Sequence, residues 1–217
     1  LGMHAFGLEE TNLYAQAEAQ GRRALELNAR DPWAVHAVAH VLEMQGRVEE
    51  GIAWLKGRRE DWSTDNMLSI HNWWHLALFH LDREEIAEVL DLYDNRLRES
   101  STGQVLDLVD ASAMLWRLLL RGIDVGARWR QLSAVWQQRG GTGYYAFNDV
   151  HALMAHLGAG DGAAAQRLIE SMEEAAEGGG TNAMMTRDVG LPVAQALVAF
   201  VREDYALERL WADAALI

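Results

Sequence analysis

Two runs of the sequence carry histidines at a spacing that can do chemistry. "PWAVHAVAHVLEM" holds His36 and His40, and "HNWWHLALFH" holds His71 and His75. Residues four apart on a helix share a face, so each run presents two imidazoles to one side, and Glu43 extends the first stripe. Three kinds of chemistry fit such a set. As metal ligands, His36, His40, His71 and His75 would hold a divalent transition metal such as zinc, nickel, copper or iron, with Glu43 or Asp110 as a further ligand or a supporting carboxylate. Without metal, the histidines and Asp110 or Asp149 would bind or protonate a small polar molecule, since imidazole titrates near neutral pH. As packing groups, the rings would sit between helices with their nitrogens satisfied by neighbours. His80 and His156 are assigned to this last role because they occupy positions where packing residues belong. The H-E-x-x-H pattern of zinc peptidases does not occur.

The elements that position these residues form a repeat. Shifting the chain by 34 residues sets Ala5 on Ala39, Leu8 on Leu42, Glu9 on Glu43, Tyr14 on Val48 and Ala17 on Gly51. This small–large–small pattern belongs to antiparallel helix pairs of the tetratricopeptide kind, whose small residues let helices cross closely. Units are expected at about 1–31, 32–66, 67–100, 104–140 and 144–178, followed by tail helices over 181–217. The expected fold is all-α, a single right-handed superhelical solenoid of these pairs, with no strand. In such a solenoid the first helix of each pair lines the concave face. That places Trp33, His36, His40, Glu43, His71, Trp74, His75, Asp110, Asn148, Asp149 and His151 in one groove. Neighbouring inner helices lie about 8–10 Å apart, so their side chains can converge. Trp73, Trp116, Trp129 and Trp136 are expected to fill space between helices, and "GRREDW" at residues 57–62 to be a solvated loop. The helix near the end is expected to be interrupted at Gly190 and Pro192.

Composition narrows the partners. A formal charge of −13 lacks the basic stripe a nucleic-acid binder needs, and is equally unsuited to an anionic membrane surface. There is no cysteine, so thiolate ligands and disulfides are excluded, in keeping with a reducing cytosol. No apolar run of the sequence approaches the roughly 20 residues of a bilayer span. The opening "LGMHAFGLEE" reads as mid-helix and lacks an initiator methionine, so the chain is expected to be part of a longer protein.

The stretches "FGLEETNLYAQAE", "WAVHAVAHVLEMQGR", "HNWWHLALFHLD", "FNDVHALMAHLGA" and "RDVGLPVAQALV" together resemble the tetratricopeptide repeat protein 38 family, over about residues 2–200. The resemblance implies a cytoplasmic helical-repeat protein with further helices on both sides. It carries over no activity and no catalytic residue. The leading expectation is a binding scaffold that holds a small molecule or peptide in its His/Asp/Trp-lined groove. The alternative is a hydrolase or lyase acting on a small polar substrate through the same histidines, with or without metal. Uncapped solenoid ends would also allow self-association.

Overall fold

The computed structural model describes residues 1–98, 104–207 and 209, and no strand occurs among them. Its helices fall into two compact units, Leu1–Thr102 and Gly103–Ile217, where the repeat pattern alone suggests one continuous domain. The first unit comprises α1 (Gly2–Glu9), α2 (Tyr14–Leu27), α3 (Pro32–Met44), α4 (Val48–Gly57), a short α5 (Arg59–Trp62), α6 (Ser69–Asp82) and α7 (Ile86–Leu92), which runs into a π turn over Tyr93–Leu97. The second comprises α8 (Val105–Leu120), α9 (Arg128–Arg139), α10 (Ala146–Gly158), α11 (Gly162–Ala176), α12 (Thr181–Met185) and α13 (Leu191–Val201).

Local chemistry sets the helix boundaries. Asp31 caps α3 by accepting the Ala34 N–H at 3.2 Å, with Pro32 in the first turn where its missing donor costs nothing. Asp161 caps α11 in the same way through the Ala164 N–H. One closure recurs at the end of α1, α3, α6, α8, α10 and α13. At α3, the Arg47 N–H returns to the Leu42 carbonyl and the Gly46 N–H to that of Glu43. The residue at the bend is left-handed each time: Asn12, Gly46, Glu84, Gly122, Gly160 and Glu203. This motif satisfies carbonyls that the last helical turn leaves bare, and it turns the chain sharply into the next element.

Small residues then set the separation of the helices. In the first unit α1 packs on α2 and α3, and α6 packs on α3, α4 and α7. Ala5, Ala17, Ala39 and Ala77 are completely buried. Gly21 of α2 lies under Val38 and Ala34 of α3, and Gly51 of α4 lies under the Phe79 ring of α6. In the second unit Gly158 makes the same close approach to Trp129. Trp73, Trp116, Trp129 and Trp136 are all buried, as their apolar area requires.

Two local expectations are corrected. The charged run at 57–62 is helical at its end rather than a loop. Arg59–Trp62 form α5, with Arg59 and Glu60 exposed as expected. Trp62 is fully buried, donates Nε1–H to the Leu55 carbonyl at 2.9 Å and packs edge-on to Trp73. The helix at 181–201 is also not broken at Gly190 and Pro192. It passes through a π turn over Thr186–Gly190, in which the Leu191 N–H reaches the Thr186 carbonyl, and Pro192 enters at the start of α13 where it needs no partner. By length and composition this continuous stretch, Thr181–Val201, is long and apolar enough to cross a membrane, unlike any run expected from the sequence. It carries Arg187 and Asp188 near its middle, and it packs on α10 and α11.

Gly51 tests the close crossing. Gly51→Ala should destabilise by about 1–3 kcal/mol through overpacking against Phe79, although alanine is the better helix former. Gly7→Ala, exposed on α1 with open space around it, should stabilise by about 0.5–1 kcal/mol. Urea unfolding of both variants measures the contrast, and equal signs would contradict it.

Candidate metal centre

The four paired histidines meet in the first unit. On α3 the His36 and His40 rings are 4.3 Å apart between centroids, and on α6 the His71 and His75 rings are 4.8 Å apart. Between the two helices, His36 lies 4.9 Å from His71 and 5.0 Å from His75, and His40 lies 4.6 Å from His75. One ring nitrogen from each of the four falls within 4.8 Å of the others. The i, i+4 spacing on two packed helices produces this convergence, as expected from the sequence. Aromatic rings wall the cluster. Phe6 of α1 packs on His36 and His40, Trp33 packs edge-on to His36, and Trp74 stacks on His71 with an angle of 9° between planes.

Burial gives these rings unusual electrostatics. His36 is 3% exposed, and neither of its nitrogens has a hydrogen-bond partner. Burial holds its pKa far below the ordinary histidine value, reinforced by the neighbouring His75, His40 and His71 rings. His40 is pushed down to about 4, mainly by burial, with Glu43 pulling upward and His71 downward. Both are therefore neutral at neutral pH and keep a nitrogen lone pair for a ligand bond.

Two carboxylates stand behind the cluster. Glu43 Oε2 lies 2.7 Å from His75 Nδ1, and Glu9 Oε2 lies 3.3 Å from His40 Nδ1. The Glu43 carboxylate, hydrogen-bonded to His75, fixes that ring's orientation and directs its Nε2 toward the cluster. The Nε2 of His40 is buried without a partner. Glu9 itself is pushed up to about 7, first by burial and then by the adjoining Glu10 and Glu43. Glu9 and Phe6 are the residues of the site that the histidine spacing does not name. Their signal lies in the 34-residue shift, which sets Glu9 on Glu43 and Phe6 on His40.

The remaining sequence-derived residues belong to the second unit and do not form one face. Asp110 is buried on α8. Asn148 and Asp149 of α10 line a polar cavity of about 330 Å³ together with Arg139, His156 and Arg167. His151 lines a different, apolar cavity of about 600 Å³ beside Tyr145, Phe147 and Met185, and its Nδ1–H donates to the Phe147 carbonyl at 2.8 Å. His80 and His156 are packing histidines, held by Glu85 and by Ser133 Oγ respectively.

Asp149 supplies a test of pH dependence. Its carboxylate accepts the Gly143 N–H, yet burial outweighs that bond and raises the pKa from 3.8 to about 6. The unfolded chain ionises this group above its ordinary pKa, whereas the folded chain does so only above the raised value. Stability is therefore lost as pH rises between the two, and the loss persists above the upper one. Asp149→Asn keeps an acceptor for Gly143 and should stabilise by about 1–3 kcal/mol at pH ~7, with little effect near pH ~4. Thermal unfolding at both pH values checks this, and the same change at each would contradict it.

No family model matches this chain, so the chemistry assigned to it rests on the four-histidine geometry.

Proposed function

We propose that this chain is a tetratricopeptide-like helical-repeat protein, and that its first unit binds a divalent transition metal through His36, His40, His71 and His75. The observation that carries this reading is the convergence of four imidazoles from α3 and α6, with His36 buried and bare at both nitrogens. A buried polar group left unpaired costs about 1–3 kcal/mol, and a metal bond would remove that cost. The Glu43 carboxylate behind His75 matches the outer shell of imidazole metal sites. Ligands of a zinc tetrahedron lie roughly 3.3–3.4 Å apart, so ring rotations must draw the set inward by about 1 Å.

Four protein ligands close a tetrahedral shell, the mark of a structural rather than a hydrolytic zinc. The ion would clamp the first helices of two successive units and hold Trp33 and Trp74 in place beside it. Both indoles are half-buried and line a face suited to a small molecule or peptide. The recurrent helix closure and the small residues at crossings support the reading of the chain as a right-handed solenoid of repeats. Membership of the tetratricopeptide repeat protein 38 family and a cytoplasmic location fit the same reading.

Tag-free protein dialysed against zinc should retain at least one ion per chain. Zinc at about 100 times its Kd should add roughly 2.7 kcal/mol of stability. The His36→Ala, His71→Ala double variant should lose both the ion and the stabilisation. A wild-type protein that retains no zinc, and whose Tm is the same with and without chelator, would overturn the proposal.

A further inference from the structure

We infer that a second divalent cation site adjoins the first, formed by Glu9, Glu10 and the outer nitrogen, Nδ1, of His40; it rests on the four-histidine reading through their shared ring. Glu9 ends α1 with its side chain 5% exposed, and its Oε2 is buried without a hydrogen-bond partner. That oxygen nevertheless lies 3.3 Å from His40 Nδ1. The contact is misaligned for a hydrogen bond, yet it has the length of one edge of a zinc tetrahedron, roughly 3.3–3.4 Å for bonds of about 2.0–2.1 Å. Donor atoms of Glu9, Glu10 and His40 all lie within 4.8 Å of one another.

Two carboxylates and one imidazole suit zinc, iron or manganese. Three protein ligands leave the fourth position open on the side of the exposed Glu10, where water or a small anion would bind. The first ion takes His40 at Nε2, so the ring proton resides on Nδ1. Entry of the second ion displaces that proton, together with any proton on the Glu9 carboxyl, to solvent and leaves an imidazolate bridging the two metals. The closed four-histidine site would then be structural, and the adjoining site would be the reactive one.

Zinc content after gel filtration tests the inference, with isothermal titration in two buffers of different ionisation enthalpy to count protons. Wild-type protein should hold about two zinc ions per chain, and Glu10→Gln about one, with at least one fewer proton released on saturation. Glu10 is exposed, so the variant should keep the wild-type far-UV circular dichroism. One zinc in both proteins would overturn the second site and leave the first intact, with Glu9 acting only to orient His40. Two in both would equally overturn it. Zinc in neither would overturn this inference and the four-histidine reading together.

Discussion

Imidazole rings on separate helices share an interior only where the helix backbones run close, and in the first unit that closeness comes from side chains that are nearly absent. Gly51 admits the Phe79 ring of α6 against α4, Gly21 admits Val38 of α3 against α2, and Ala5, Ala39 and Ala77 occupy further fully buried positions. A protein interior is close-packed, so adding even one methyl group at such a crossing must push something aside. With α3 held between α1 and α6, its histidine stripe is enclosed from both sides. Phe6 arrives from α1, and His71 and His75 arrive from α6. The backbone packing thus creates both the meeting of the rings and their burial.

Burial then dictates protonation. A charged imidazole in an apolar setting loses its hydration, and a second charged ring a few ångströms away makes the state worse. Both effects act on His36, and burial governs His40. The consequence is that two rings of the cluster, His36 and His40, are neutral before any ligand is present. In the unfolded chain the same groups are separate, so a ligand that needs several nitrogens at close quarters would favour the folded state. Binding and folding are coupled through that difference. The bare nitrogens of His36 weaken the protein by itself, and the weakness is what a metal bond would repair.

How far this was legible from sequence depends on whether a feature is local. The helix pairs, the small slots and the two histidine pairs follow from spacings of four and of 34 residues, and the structure places the four rings together. The reading of "GRREDW" as a loop failed at its end, where Trp62 is buried by contacts with Trp73 and Leu55, although Arg59 and Glu60 do face solvent. Glu9 carried a signal through its alignment with Glu43, but its role depends on the distance from α1 to His40, which no local pattern encodes. Asn148, Asp149 and His151 share a helix and nearly a sequence position, yet they line two different cavities. Residues two apart on a helix differ in direction by about 200°, so Asp149 and His151 point to opposite sides of α10 despite their nearness in sequence.

The second unit shows that histidines on a first helix are not sufficient. It has the same helix closures and the same tight glycine crossing at Gly158, and α10 carries both His151 and His156. There, His151 engages the carbonyl of its own helix and His156 engages Ser133, so each ring is fixed by a protein partner. His36 differs in having neither nitrogen engaged although it is just as buried as His156. His80 also has a bare buried Nε2, but among the described residues it has no other histidine beside it in a cluster, whereas His36 combines two bare nitrogens with three neighbouring imidazoles. That combination arises where two i, i+4 pairs face each other across a helix crossing and enclose the His36 ring.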